Sequence, residues 1–290
     1  MRLVTFRHGP GAGIGVQLGA NILDLSAAHP ELPTNMKAFL SLGENALAQT
    51  HEALASVKRE WLLPESDVTL LAPVPRPEKI LCIGHNYAGH IGIGRTELPE
   101  HPNLFCKTVN TIIGHNQPIV IPPVTSQVDF EAELMAVIGK RARDVSEAEA
   151  QTCIAGYTIF NDVSARDYQK WTSQWMLGKS FDTFGPMGPS LVTPDEVPDP
   201  YNLELELTVN GIPAQRVNTC DMIFSVPYLI SYISRVMTLE VGDVIATGTP
   251  SKLPEAADVE RKRFLQAGDV VEITIEKLGA LRNIVVNGNW

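Results

Sequence analysis

The stretch FEAELMAVIG, residues 130–139, reads as a β-strand. Its side chains alternate at a period of two, and successive side chains of a strand point to opposite faces. That period puts Glu131 and Glu133 on one face. It turns Ala132, Leu134, Ala136 and Ile138 to the other, towards a core. Two neighbouring carboxylates repel each other, and in a protected site they need a cation. On an open sheet face they would simply be solvated.

Further strands flank this one. KILCIG (79–84), QPIVIP (117–122), YTIFND (157–162), DVIATG (243–248) and DVVEITIEKLG (269–279) are short apolar or alternating runs bounded by glycine, proline or aspartate. LELELTVNG (203–211) alternates strongly and ends in Asn210-Gly211, a hairpin signal. Helices are fewer. Ser146 and Glu149 have capping-box spacing at the start of SEAEAQTCIAGY (146–157), which predicts a helix ending near Gly156. FSVPYLISYISR (224–235) predicts another, capped by Ser225 with Pro227 in its first turn. The strands do not alternate strictly with helices, which predicts an α+β fold built on a mixed, curled sheet.

Residues 1–70 read as a small N-terminal accessory unit. Short strands lie at Arg2–Arg7, Gly15–Leu18 and within residues 20–26, and polar helical patterning covers about Met36–Trp61. Pro64, Pro73, Pro75 and Pro77 mark a linker to the main domain, residues 71–290.

A chain of 290 residues with 44% hydrophobic and 19% charged residues is expected to fold around a sizeable core. Its net charge of −10 repels phosphate backbones, which argues against a nucleic-acid partner. Cys82, Cys106, Cys153 and Cys220 are scattered, which suits free thiols in a reducing compartment. No apolar run approaches the ~20 residues of a membrane span, so a cytoplasmic protein without a membrane partner is expected.

Asp162, at the end of YTIFND, offers a third carboxylate to Glu131 and Glu133. Three carboxylates with waters suit a hard divalent cation, Mg²⁺ with Mn²⁺ or Ca²⁺ as alternatives, and do not suit zinc. If SARDYQKW (164–171) starts a helix, Arg166, Gln169 and Lys170 share one side beside Asp162. Lys179 stands in the Gly-, Pro- and aromatic-rich loop GKSFDTFGPMGP (178–189). Thr249, in ATGTP (246–250), ends a strand in a tight turn whose hydroxyl and N–H groups suit a carboxylate. His90 lies in NYAGHIGIG (86–94), where Gly89, Gly92 and Gly94 disfavour both helix and strand, as a mobile lid requires.

Six motifs together, in this order, resemble the fumarylacetoacetate hydrolase superfamily: NYAGH (86–90), DFEAEL (129–134), AGYTIFNDVSARDYQ (155–169), GKSFDTFGPMGP (178–189), CDMIFSVP (220–227) and LEVGDVIATGTP (239–250). The resemblance covers about residues 70–288 and extends to the small N-terminal unit. It implies a mixed β-sheet roll, usually in a homodimer, acting on 2-oxo and β-diketo acids. It puts Glu131, Glu133 and Asp162 at metal-ligand positions, and Arg166, Gln169 and Thr249 at substrate-binding positions. Lys179 falls where a lysine stabilises developing negative charge, and His90 where a lid histidine activates water. Members hydrolyse acylpyruvates, decarboxylate oxaloacetate-like acids, or isomerise and hydrate related dienoic acids. The first expectation is metal-dependent C–C hydrolysis of an acylpyruvate. The alternatives are a lyase or isomerase reaction in the same site, or oxo-acid binding without catalysis.

Three positions depart from the family pattern. Many members carry glutamate three residues after the lid histidine, and this chain has Ile93. A base without an orienting carboxylate is weaker, which moves weight from hydrolysis towards reactions that need no activated water. Glu97, Glu100, Glu255, Asp258 or Glu260 are the substitutes the sequence offers. Lys252 replaces a frequent glycine and reads either as a cation for a second acidic group on the substrate or as an exposed side chain. Lys107, followed by Thr108 where proline is frequent, reads either as a surface strand end or as a binding group.

Overall fold

The computed structural model describes residues 1–88, 98–253 and 264–289. The strand in FEAELMAVIG forms over Ala132–Ile138, and all seven of its residues are buried. It pairs antiparallel with Ile154–Asn161 on one side and with Val244–Ala246 on the other. From Val244–Ala246 the sheet continues through the parallel strand Ile80–Gly84 to Asn103–Lys107. From Ile154–Asn161 it continues through Gly185–Val192 and Arg2–His8 to Gly11–Leu18, Asn21–Asp24 and Leu62–Pro64. Two short strands, Thr69–Leu70 and Ile112–Ile113, bring this mixed sheet to twelve. A second sheet has five strands in the order Ile212–Asn218, Glu204–Val209, Val270–Ile275, Gly279–Asn287 and Ile119–Ile121. These sheets with a minority of short helices make the α+β architecture that the sequence predicts.

The alternation of the central strand separates two cores rather than core from solvent. Ala132, Leu134, Ala136 and Ile138 pack with Leu205, Leu207 and Ile273 of the second sheet and with Ile233 of the helix Val226–Ser234. Met135 and Val137 pack on the other face with Leu3, Val16 and Phe39. Burying each such aliphatic or aromatic side chain contributes roughly 1.5–3 kcal/mol before the entropy of ordering. The large sheet runs across the boundary expected near residue 70, because Arg2 and Leu3 pair with Val192 and Leu191.

Several elements differ from their sequence reading. The helical patterning over Met36–Trp61 divides at Gly43, whose φ of +57° no helix accommodates, into Met36–Ser41 and Glu44–Ala55. The capping box of Ser146 and Glu149 forms, but its helix covers only Glu147–Gln151. Sheet pairing takes over from there, with Ile154 opposite Ile138 and Gly156 opposite Val137. GPMGPSLV, read as loop in its first half, is the fully buried strand Gly185–Val192. Pro186 and Pro189 cannot donate to a ladder. Pro189 falls where the pairing with Ile154–Asn161 shifts register, between Tyr157 and Ile159, and Pro186 precedes Met187, the first residue in that pairing. The Asn210-Gly211 hairpin is as expected, both residues having positive φ. No helix among the described residues is long and apolar enough to cross a membrane.

Candidate active site

The site lies where the antiparallel pair Ala132–Ile138 and Ile154–Asn161 ends. Ala132 is opposite Asn161, so Glu131 and Asp162 leave the pair side by side. Two hydrogen bonds fix them there. The Asp162 N–H donates to the Glu131 carbonyl at 2.9 Å, and the Glu131 N–H donates to the Asn161 side-chain carbonyl at 3.0 Å. Glu131 itself just precedes the regular strand, while Glu133 lies within it. Carboxylate oxygens of Glu131, Glu133 and Asp162 come within 4.8 Å of one another, and all three residues are buried.

Cations enclose two of these acids. The Lys179 ammonium donates to Glu131 Oε2 at 2.6 Å and to Asp162 Oδ2 at 2.7 Å. Lys107 donates to Asp162 Oδ1 at 2.6 Å and to the Val163 carbonyl at 3.0 Å. Arg166 places Nη1 2.6 Å from Glu131 Oε1 and Nε 2.9 Å from Asp129 Oδ2, and also donates to Gln169 Oε1. Lys252 reaches the other Asp129 oxygen at 2.6 Å. Lys179 is delivered by the turn Met176–Lys179, which packs closely on the helix Arg166–Lys170. A Cβ on Gly178 would fall 2.5 Å from the Gln169 nitrogen, so only glycine fits there.

The electrostatics follow from this arrangement. Burial opposes the Glu131 charge, but Lys179 and Arg166 outweigh it and hold its pKa below the usual carboxylate range. Burial likewise opposes the Lys179 charge, yet Asp162 and Glu131 hold its pKa above the usual lysine range. Burial of Lys107 lowers its pKa despite Asp162. Glu133 is different. It is 1% exposed, and it accepts one hydrogen bond, from the Gly248 N–H at 2.8 Å. Among the described residues it has no ion pair. Burial first, and then Asp162 and Glu131, push its pKa well above the usual range.

That imbalance fits a cation. A buried carboxylate without a counter-charge is costly, and three hard oxygen donors on one spot match the ligands that Mg²⁺ or Mn²⁺ prefer. Each oxygen already bound to a lysine or arginine retains a second lone pair. The residues therefore fit a divalent metal held by Glu131, Glu133 and Asp162.

Six of the residues singled out in the sequence, Glu131, Glu133, Arg166, Gln169, Lys179 and Thr249, line one cavity of about 270 Å³. Asp162 stands outside that lining, against Lys107 and Lys179. Lys170 is also on the wall. Thr249 is nearly buried, and its hydroxyl accepts a hydrogen bond at 2.9 Å from Gln215, which also accepts from the Ala132 N–H. His90, Ile93, Glu97, Glu255, Asp258 and Glu260 lie outside the described residues. Glu100 is described, and it points into solvent beside His101.

Of the two readings of Lys107, its full burial rules out the surface strand end. Other participants have no counterpart in the sequence reading. Asp129 lies one more period-two step before Glu131, a signal that was present in DFEAEL. Ile83, His85, Phe105 and Trp175 complete the wall. Trp175 meets His85 and Phe105 edge-on at 5.6 and 5.3 Å, and it rests where a Cβ on Gly84 would fall 2.5 Å from its ring. No spacing rule links these four residues, which only the fold brings together.

Comparison with known proteins places the chain in a family. Residues 79–286 match the family model "Fumarylacetoacetate (FAA) hydrolase C-terminal". The mitochondrial oxaloacetate tautomerase fahd2 of Xenopus laevis is 45% identical over 294 residues, covering 99% of this chain and 90% of that protein. A fumarylacetoacetate hydrolase from Exiguobacterium antarcticum superposes with a TM-score of 0.85 at 35% identity, over 99% of this chain and all of that one. A maleylpyruvate hydrolase from Sphingobium sp. SYK-6, solved with manganese(II) and pyruvate, superposes with a TM-score of 0.82 at 32% identity over the full length of both. This chain belongs to the fumarylacetoacetate hydrolase family.

Proposed function

We propose that this protein is a divalent-metal-dependent tautomerase of a small dicarboxylic 2-oxo acid of the oxaloacetate type. The reaction moves one proton between the carbon beside the ketone and the ketone oxygen. The observation that carries the reading is the buried carboxylate trio, two of whose members, Glu131 and Glu133, line a cavity of about 270 Å³ that also presents Lys179, Arg166 and Thr249. That volume is at the small end for a ligand pocket, which favours a short acid over a long acyl chain. The names of relatives more than 40% identical over nearly the whole chain, oxaloacetate tautomerases, support the same choice. Ile93 supports it too, because tautomerisation adds no water and needs no water-activating pair.

A bound Mg²⁺ or Mn²⁺ would supply electrophilic stabilisation of negative charge on the acid's oxygens. The chain's own residues do the rest. Arg166, Gln169 and Thr249 bind and orient carboxylate groups. Lys179, fixed by Glu131 and Asp162, holds a positive charge and N–H donors beside the oxygen on which charge develops. Phe105, Trp175 and Ile83 exclude water, which strengthens these interactions. A histidine takes and returns the proton, since its ordinary pKa lies near neutrality. The resemblance puts a water-activating histidine at His90, which is one candidate for that role, and His85, on the described wall, is the other.

The second reading is acylpyruvate hydrolysis, favoured by the likeness to maleylpyruvate hydrolase. One experiment separates the two. The enol absorbance of oxaloacetate is followed with Mg²⁺, and the products from maleylpyruvate and acetylpyruvate are weighed by mass spectrometry. Faster enol–keto exchange, lost in Lys179→Met, with acylpyruvates intact is the expected result. Pyruvate released from an acylpyruvate with no acceleration of oxaloacetate exchange would replace the proposal with hydrolysis.

A further inference from the structure

We propose that Lys252 is a positioning residue that acts through Asp129 to hold Arg166 in place for an anionic substrate. The inference rests on the reading of the cavity as an oxo-acid site. Lys252 does not line the cavity. Its ammonium donates to Asp129 Oδ1 at 2.6 Å, and its end lies 4.5 Å from the centre of the Phe130 ring. Asp129 Oδ2 receives Arg166 Nε at 2.9 Å, while Arg166 Nη1 is shared between Glu131 and Gln169. Lys252, Asp129 and Arg166 thus form a chain of alternating charge from the half-buried rim to the cavity wall.

The backbone under Lys252 belongs to the same framework as the site. Lys252 bridges Gln215, and the Leu253 N–H donates to the Ala214 carbonyl at 2.9 Å. Gln215 in turn holds Thr249, Pro250 and the start of the central strand. A lysine anchored at its base and resting on an aromatic ring loses little entropy on forming its ion pair.

The carboxyl groups of Asp129, Glu131, Glu133 and Asp162 share this cluster with the cations of Lys107, Arg166, Lys179 and Lys252. Without Lys252 the cluster is one charge more negative, which repels an incoming acid, and a dianion more than a monoanion. Among the described residues, Asp129 Oδ1 would then keep only the Phe130 N–H at 3.0 Å. The carboxylate would be free to turn and draw Arg166 from Glu131.

The test compares wild type with Lys252→Met, Lys252→Arg, Asp129→Asn and the double variant Asp129→Asn/Lys252→Met, all with Mg²⁺. Kinetics on oxaloacetate give KM and kcat, and calorimetry gives the Kd of pyruvate. One charge lost at this remove is expected to raise KM about fivefold with kcat nearly unchanged. The rise in pyruvate Kd is expected to be smaller, and Lys252→Arg should restore both. In the Asp129→Asn background, Lys252→Met should add little, because the coupling runs through Asp129. Unchanged KM and Kd in Lys252→Met would overturn the proposal. So would an effect that persists undiminished with Asp129→Asn. If wild type binds pyruvate but does not act on oxaloacetate, the tautomerase reading fails, and the pyruvate Kd still decides the role of Lys252.

Discussion

The antiparallel pair Ala132–Ile138 and Ile154–Asn161 ends in two different ways. At the Glu131–Asp162 end, carboxylates and ammonium groups meet at 2.6–2.7 Å with side chains almost wholly withdrawn from water. At the other end the chain turns through Gly139–Arg141 and Thr152–Ala155 beside an open groove of about 550 Å³. That groove has an apolar floor of Leu3, Phe39, Leu40 and Leu47, and its charges stand on the rim. Arg141 approaches Glu240 there at 3.4 Å, with side chains 64% and 39% exposed. Both ends use the same kinds of charged residue. The medium around them decides what each charge is worth, because the same pair interacts several times more strongly away from water and costs far more when broken.

The sharpest way to test the contrast is to remove the ammonium that Glu131 and Asp162 share. Lys179→Met takes one of two cations from each of two buried carboxylates, leaving Glu131 with Arg166 and Asp162 with Lys107, and breaking such an arrangement costs about 3–5 kcal/mol. Denaturant unfolding of the metal-free protein should show that loss. Turnover should fall by about 10²–10³, as when a preorganised charge-stabilising donor is removed. A stability change under about 1 kcal/mol would mean that water reaches this end as freely as it reaches the groove.

A second test divides the carboxylates of the closed end among themselves. Glu131 has two cations at 2.6 Å, so Glu131→Gln should destabilise the metal-free protein by roughly 2–3 kcal/mol. Glu133 has a single backbone N–H and no ion pair among the described residues. Glu133→Gln should therefore leave the metal-free protein as stable as wild type or more so, since it removes a buried group that is costly to ionise without stranding a partner. Both changes should abolish the rise in Tm on adding Mg²⁺ or Mn²⁺, a rise that only a native-state binder produces. Equal destabilisation by the two changes in metal-free protein would show that Glu133 has a counter-charge of its own.

The sequence carried the closed end well and the open end poorly, for physical reasons. A strand's period of two is local, so one pass along DFEAEL placed Glu131 and Glu133 together. A neighbouring strand ending in Asp162 supplied the third acid. The same period reaches Asp129, but an aspartate at a strand end is common on ordinary surfaces and carries no signal of its own. Lys107 and Lys252 were ambiguous because a lysine's burial is set by what packs over it, and the partners of both are distant in the chain. The strand Gly185–Val192 was misread because two prolines argue against a central strand. A shift in the facing register, invisible to local pattern, accommodates Pro189, and Pro186 lies before the paired stretch. The wall of His85, Phe105 and Trp175 depends on three separate segments and left no periodic trace.

The smallest expected effect lies at the open end. Arg141→Ala removes one long contact between exposed groups that water screens well and that two flexible side chains must be ordered to make. Such pairs contribute little, and the change in unfolding free energy should stay within about 0.5 kcal/mol. Any change should vanish in 1 M salt, where the screening length is only about 3 Å. Arg166→Ala is the matched control. It breaks contacts of 2.6 and 2.9 Å to two carboxylates that are less than a tenth exposed. It should cost several times as much, and salt should recover little of the loss, because ions do not enter a buried cluster. A cost for Arg141→Ala comparable to that for Arg166→Ala would show that the groove is as dry as the closed end. The contrast between the two ends would then rest on the choice of residues rather than on the medium around them.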